Sequence, residues 1–500
     1  MGFASCQLYP AARVVSAYVT PTITATPFLR CLGKSLKQYV HQKVPCKIKM
    51  TNKAFLIKTF GCQMNDRDSE IMAQLLGEAG YIETSETAQA DLIILNTCSI
   101  RAKAEQKVMS LLGVLRKHKK RNPDLKICVA GCVAQQEGQE IIRRMGHVDL
   151  VIGTQSIYQI VDLLDKLNGH SVATGLEDDY VIPSFIPNLK PKSKHGDSPE
   201  VFRKFLTIMQ GCNNYCSYCV VPHTRGREIS RTVKDIIEEA HALIDGGVKE
   251  ITLLGQNVNS YGQTNAVTES PQNYSFADLL REVASIKGLK RLRFTTSNPK
   301  DLSDDLMSCF AEIDILCKQF HLPVQSGSNN ILSAMHRKYT RELYLEKVAA
   351  LRKYCPEIAL STDVIVGFPG ETDADFEQTM SLLEEVQYHG SYSFKYSDRP
   401  GTRSQHFDNK VSEDIKSARL ARFQARQDEI SMYHNLNYVG NVYPVMIERN
   451  EADKMVGRAA SNLLVHFSDL SSCTVAGDIV PALITHAGQH SLQGELHLKD

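Results

Sequence analysis

Short apolar runs alternate with amphipathic stretches along most of the chain. From Lys53 to about Leu167, strand-like Ala54–Ile57, Asp91–Asn96, Lys126–Ala130 and Val148–Ile152 are separated by the helical stretches Ser69–Glu78, Lys103–Lys120 and Glu137–Met145. Apolar strands interleaved with longer helices predict a parallel sheet covered by helices. Residues 183–204 carry Pro183, Pro187, Pro191 and Pro199 among lysines, the composition of a linker. A second alternation follows. Its strands are Phe205–Gln210, Glu250–Leu254, Arg291–Thr295, Gln319–Pro323, Ala359–Val366 and Ser391–Tyr396. Its helices are Thr232–Ile244, Phe276–Ile286, Leu302–Ile313, Arg341–Tyr354 and Ala374–Val386. Six such units predict an open, partial (β/α)6 barrel, with ligands at the C-terminal ends of its strands. After a polar helix, Ile415–Asn435, the short strands Val442–Glu448, Leu463–Phe467, Asp478–Thr485 and Gly494–Leu498 predict a small β-barrel. The expected class is therefore α/β. Its parts are an N-terminal parallel α/β sheet domain (50–170), a linker (171–200), the partial barrel (201–432) and the small β-barrel (433–500).

Composition changes this picture in three places. The 500 residues carry Lys+Arg 57 against Asp+Glu 56, a net charge of +1, so any positive groove must be local. No apolar run is long enough for a membrane-spanning helix, so no membrane association is expected. The first 49 residues hold Arg13, Arg30, Lys34, Lys37, Lys43, Lys47 and Lys49 and no acid, the first acid being Asp66. That reads either as an organelle transit segment or as sequence upstream of a true start at Met50. The expected location is cytoplasmic in the second case and an organelle matrix in the first.

Fourteen cysteines in a long Lys- and Glu-rich chain point to metal or redox use, not to a disulfide scaffold. Cys212-Asn-Asn-Tyr-Cys216-Ser-Tyr-Cys219 places three thiols just past the first barrel strand. Three thiolates on a four-iron cluster leave one iron open for a small molecule that chelates through an amine and a carboxylate. A structural zinc loop with His223 as fourth ligand is the alternative. A second set is Cys62 in Gly-Cys-Gln-Met-Asn, Cys98 in Asn-Thr-Cys-Ser-Ile-Arg and Cys132 in Gly-Cys-Val-Ala-Gln-Gln, each after an expected strand. Single cysteines at successive strand ends can converge on one sheet edge, although lone cysteines are more often buried apolar residues. Cys128, Cys309, Cys317, Cys355 and Cys473 read as such bystanders.

The CxxxCxxC spacing, with Tyr218 before its last cysteine, resembles the radical S-adenosylmethionine superfamily. Together with the three single-cysteine segments and the barrel, the chain from about Lys53 onward resembles the methylthiotransferase family, in its MiaB-type tRNA branch. The resemblance implies that Cys212, Cys216 and Cys219 hold a [4Fe–4S] cluster whose open iron binds S-adenosylmethionine, cleaved to a 5′-deoxyadenosyl radical. It implies a second [4Fe–4S] cluster on Cys62, Cys98 and Cys132, carrying the sulfur to be inserted. The implied reaction is methylthiolation at C2 of N6-isopentenyladenosine at position 37, beside the tRNA anticodon. An electron donor and a sulfur source are then needed as partners, and a monomer is expected. The same chemistry on threonylcarbamoyl-adenosine or a ribosomal protein, or a non-catalytic RNA-binding protein with structural metals, are the competing functions.

A cofactor pocket is expected from Gly255 and Gln256 after the second barrel strand and from Ser361, Asp363 and Gly367 along and after the fifth. His321 to Ser328 forms a third polar strand end. Arg225, Arg227 and Arg231, with Arg399 and Arg403, are expected on loops at that face, as phosphate contacts or as a solvated rim. Arg116 to Arg121 ends a helix, where cations complement the dipole. The last segment resembles the TRAM module, thought to grip tRNA. Residues 437–500 nevertheless carry more Asp and Glu than Lys and Arg, unlike a phosphate-binding surface.

Overall fold

The computed structural model describes residues 53–99, 102–188, 202–265, 267–268, 274–451, 454–468 and 474–497. The basic extension and Cys473 lie outside them.

The first alternation forms one six-stranded parallel sheet, ordered β2-β1-β3-β4-β5-β6. Its strands are β1 (Ala54–Phe60), β2 (Ile82–Glu83), β3 (Leu92–Thr97), β4 (Lys126–Gly131), β5 (Leu150–Ile152) and β6 (Ser171–Ala173). The helices are α1 (Gln63–Glu78), α2 (Ala102–Arg121), α3 (Cys132–Glu137), α4 (Gln139–Arg144) and α5 (Ile160–Asp165). Every residue of β3 is buried, as its unbroken apolar run requires when both faces of a parallel sheet are covered.

Three expectations are corrected in this sheet. The helix expected from Ser69 starts at Gln63, because its polar first turns (Asn65, Arg67, Asp68, Ser69) are buried and have partners. The helix expected over Glu137–Met145 is two helices, broken where Gly138 takes a φ of 49°. The segment expected as linker from residue 171 begins instead with β6, which pairs with β5.

The second alternation gives β7 (Arg203–Thr207), a small hairpin of β8 (Met209–Gln210) and β9 (Ile229–Ser230), then β10 (Glu250–Leu254), β11 (Arg291–Phe294), β12 (Gln319–His321), β13 (Ala359–Val366) and β14 (Gly390–Lys395). β7, β10 and β11 form one parallel sheet, and β12, β13 and β14 another. A parallel bridge from Leu292 to Leu316 joins them, so six strands stand in chain order around an open barrel. Around and between them are α6 (Val221–Arg225), α7 (Val233–Asp245), α8 (Phe276–Ala284), α9 (Asp304–Glu312), α10 (Asn329–Ala334), α11 (Arg341–Tyr354) and α12 (Asp373–Val386). Leu206, Ile251, Leu253, Leu292, Phe294, Phe320, Leu360 and Val364 belong to the large apolar core that also holds α7, α8, α11 and α12 residues. Alternate strand residues therefore face the lumen.

The long helix α13 (Glu413–Leu436) packs along β14 and leads into a closed barrel, β15-β16-β17-β19-β18. Its strands are β15 (Val442–Glu451), β16 (Lys454–Ala459), β17 (Leu464–Phe467), β18 (Ile479–Ala487) and β19 (Ser491–Leu496). β16 was not expected, since Gly457 and the flanking charges hide its apolar alternation. Lumen-side arginines of β11 fix this module. Arg291 donates to the carbonyls of Arg458 (2.6 Å) and Pro444 (2.8 Å), and Arg293 to those of Ala459 (2.9 Å) and Ala460 (3.1 Å).

Candidate iron–sulfur and cofactor site

Cys62 is the N-cap of α1, Cys98 follows β3, and Cys132 opens α3 after β4. β1, β3 and β4 are neighbours, so the three cysteines rise from one edge of the sheet. A buried asparagine pair locks their turns together. Asn65 Nδ2 donates to Asn96 Oδ1 (3.0 Å) and Thr97 O (3.1 Å), while Asn96 Nδ2 donates to Asn65 O (2.8 Å) and Ser69 Oγ (2.9 Å). Gly131, at a φ of 91°, lies so close that a Cβ there would sit 2.3 Å from Asn96 Oδ1 and 2.6 Å from Thr97 O. A Cβ on Gly61 would sit 2.5 Å from Cys98 Cβ. The glycine beside each outer cysteine is thus what lets the three segments converge.

A guanidinium from the barrel closes this edge. Arg225, at the end of α6, donates to Asp68 of α1 (2.6 and 3.3 Å), both side chains being buried. A hydrogen bond from Cys98 brings the Cys62 thiol down to about 6 against the effect of burial, and the charge of Arg225 helps. Burial pushes Cys132 up, with Arg225 opposing it.

The second thiol set immediately precedes α6 in the chain. Gly211, at a φ of 79°, makes the turn into Cys212, and a Cβ there would fall 2.0 Å from Arg227 O. Gln256 accepts the Gly211 N–H (2.5 Å), and Asn214 Nδ2 donates to Cys212 Sγ (3.4 Å). Arg337 Nη1 donates to Cys216 Sγ (3.2 Å), and the Tyr218 ring meets Phe368 edge-on. Burial raises Cys212, and raises Cys219 to about 12. Half-buried thiols, one of them beside a guanidinium, suit a soft cationic centre whose binding displaces their protons. Among the described residues no three His, Cys, Asp or Glu side chains are arranged around a single metal ion. In an iron–sulfur cubane each thiolate binds its own iron, so such convergence is not required. His223 is exposed on α6.

α3, which starts at Cys132, packs on α6, which starts two residues after Cys219. Thr154 Oγ1 also donates to Thr224 O (2.6 Å), and Gln136 Nε2 to Pro400 O (3.5 Å). The structure therefore brings both thiol sets to one interface, between the first sheet and the C-terminal face of the barrel.

The buried polar atoms without a hydrogen-bond partner among the described residues include Ser99 Oγ, next to Cys98, and Asn257 Oδ1 and Ser297 Oγ, past β10 and β11. Such atoms are rare in folded proteins and fit a polar ligand among them. Of the expected pocket residues, Gly255 and Gln256 follow β10 and Gly367 follows β13. A Cβ on Gly255 would meet Met209, and one on Gly367 would meet Lys416, so packing alone already demands glycine at both. Ser361 and Asp363 lie deeper, on β13, around His321. Ser361 Oγ is 3.0 Å from His321 Nδ1 and Asp363 Oδ1 is 3.4 Å from His321 Nε2.

The arginine expectation is corrected. Arg225 and Arg231 are neither phosphate contacts nor a solvated rim. Both are buried, Arg225 on Asp68 and Arg231 on Glu239 (2.6 Å), which also takes Arg67. They neutralise the acids through which α1 docks on the barrel, and only Arg227 of the three is exposed. Arg337 was missed because a lone arginine between two helices carries no motif. Arg116 to Arg121 does end α2, with Lys119 bound to Asp149 (2.8 Å).

Residues 206–383 match the Radical SAM superfamily and residues 54–153 match Uncharacterized protein family UPF0004. Fold and site thus define a radical S-adenosylmethionine enzyme with an N-terminal cysteine-bearing sheet. The tRNA-2-methylthio-N(6)-dimethylallyladenosine synthase of Desulfotalea psychrophila is 62% identical over 449 residues, covering 89% of this chain and 99% of that protein. The synthase of the same name from Syntrophobacter fumaroxidans is 48% identical, covering 88% and 95%. The chain belongs to this family of tRNA-2-methylthio-N(6)-dimethylallyladenosine synthases. In fold it also resembles the radical S-adenosylmethionine methyltransferase TsrM from Kitasatospora setae, solved with cobalamin and a [4Fe–4S] cluster bound. That likeness has a TM-score of 0.51 at 14% identity and covers 71% of this chain and 77% of the other. The family brings S-adenosylmethionine and [4Fe–4S] chemistry. Among the described residues no helix is long and apolar enough to cross a membrane.

Proposed function

We propose that this enzyme methylthiolates C2 of N6-isopentenyladenosine at position 37 of tRNA, giving 2-methylthio-N6-isopentenyladenosine. In this reading Cys212, Cys216 and Cys219 hold the [4Fe–4S] cluster that binds S-adenosylmethionine, and Cys62, Cys98 and Cys132 hold a second one. Gly255, Gln256, Ser361, Asp363 and Gly367 belong to the cofactor pocket. The observation that carries the reading is the meeting of two three-thiol sets at one interface, in a chain of this family. When bound, the cofactors supply the radical chemistry that an unactivated C2–H demands, and the sulfur.

The residues have separable tasks. The asparagine pair and Gly131 hold the first three thiols in one place. Arg225 supplies positive charge to that set and Arg337 to the other, offsetting thiolate charge in a buried site. Gln256 fixes the turn into Cys212. An anticodon-loop base is already partly unstacked, so extruding it costs little. An electron donor and a sulfur source act with the enzyme, which works as a monomer in the cytoplasm.

Mass analysis of tRNA nucleosides after anaerobic reaction tests this. Isopentenyladenosine should gain a methylthio group and threonylcarbamoyl-adenosine should not. Product on the latter alone would overturn the assignment.

A further inference from the structure

The lumen of the open barrel ends in two exposed aromatic rings that none of the roles above uses. Tyr392 and Phe394 lie on β14 with 57% and 48% of their surface exposed. Their direction follows from strand parity. Ser393 accepts from Gln424 of α13 (3.2 Å), and Lys395 reaches Glu413 (2.9 Å) and Ser417 (3.3 Å) on the same helix. The even-numbered Tyr392 and Phe394 therefore face the opposite side, the lumen. Register agrees, because Tyr392 stands beside Asp363 and Phe394 beside Ile365. The Tyr392 ring also meets the His321 ring edge-on at 5.8 Å, and His321 is itself held between Ser361 and Asp363.

The two ends of the strand row differ. β7 is covered by α1, with Lys204 on Glu70 (2.8 Å). β14 pairs only with β13 among the described residues, so its inner face borders the opening. Two neighbouring aromatics left half in water at the mouth of a catalytic lumen are poorly explained by packing. An unpaired nucleobase, by contrast, is recognised by stacking on such rings and by polar groups at its edge.

We infer that Tyr392 and Phe394 form the platform on which the extruded purine of the RNA substrate, with its apolar N6 substituent, stacks on entering the barrel, with His321 beside it. The inference rests on the proposed function. It adds the residues that bind the base.

The test compares Tyr392→Ala, Phe394→Ala and Tyr392→Phe with the wild type, all reconstituted anaerobically. It reads kcat and KM for isopentenyladenosine-containing tRNA, and S-adenosylmethionine cleavage without RNA. Each alanine should raise KM roughly five-fold to 160-fold, the range for removing one base-stacking ring. Tyr392→Phe should stay near wild type, and RNA-free cleavage should not change. The chain has no tryptophan, so Tyr392→Trp gives a single reporter. An anticodon stem-loop carrying isopentenyladenosine should quench its emission, while Tyr354→Trp, on the exposed end of α11, should not respond. Unchanged KM in both alanine variants would overturn the platform, as would unquenched emission from the Tyr392→Trp variant. A parallel fall in RNA-free cleavage would also overturn it, by placing the rings in the cofactor pocket. A wild-type enzyme that leaves this tRNA unmodified would instead overturn the functional reading, and with it the choice of base.

Discussion

The contact between Asp68 and Arg225 should decide whether the first sheet stays docked on the barrel with its thiols in register. Both side chains are nearly fully buried, and two hydrogen bonds join them across the interface. Replacing Asp68 by Asn leaves the Arg225 charge without its counterion in a low-dielectric site. Replacing Arg225 by Met strands the carboxylate in the same way. Breaking a buried pair from one side costs about 3–5 kcal/mol. If that cost falls on the docked state, the open form gains roughly two to four decades in population. Exchanging both residues for apolar ones removes the stranded charge, so Asp68→Leu with Arg225→Met should cost well under the sum of the single changes. The assay is hydrogen exchange of α1 and α6 in anaerobic protein, with iron content measured in parallel. Each single variant should speed exchange in both helices and lose iron, and the double variant should recover much of the protection. Single effects that are small and add to within about 0.5 kcal/mol would refute the reasoning, since coupled contacts deviate by more than that.

Three further outcomes follow from single side chains. Arg337 donates to Cys216, so Arg337→Gln should shift the midpoint potential of the cluster proposed on Cys212, Cys216 and Cys219 to more negative values, because the reduced state carries more negative charge; a redox titration followed by electron paramagnetic resonance checks it. Gly131→Ala combines a left-handed φ with overlap on Asn96 and Thr97, so iron bound by the first thiol set should fall while S-adenosylmethionine cleavage persists. His389, stacked on His434 and driven by burial from the ordinary 6.5 to about 3, stays neutral in the fold, whereas the unfolded chain takes up a proton near 6.5. Stability should therefore drop as pH falls, by about 1.4 kcal/mol between pH 7.5 and 5.5 from this group. His389→Gln should flatten that part of the thermal-unfolding profile.

Much of the architecture was legible because its signals are local. β10, β13 and α11 fall where apolar periodicity puts them, and the cysteine spacing marked where to look for the chemistry. The burial of Cys128, Cys309, Cys317 and Cys355 also follows from their apolar settings. What stayed hidden depends on partners distant in sequence. Asn65, in the first turn of α1, shows its role only through Asn96 of β3, far from it in sequence. Arg225 and Arg231 look like a basic loop until Asp68 and Glu239 bury them. β6 and β16 are short or polar strands whose existence rests on a neighbouring strand's hydrogen bonds. Tyr392 and Phe394 carry no motif, and only strand parity shows which way they face.

Two separately held clusters with divided labour are tested most directly by Cys98→Ala, reconstituted anaerobically beside the wild type and assayed for iron, S-adenosylmethionine cleavage and methylthiolated tRNA. The wild type should bind about eight irons, the variant about four. The variant should still cleave S-adenosylmethionine while forming no methylthio product. A variant that methylthiolates tRNA at the normal rate would contradict that division.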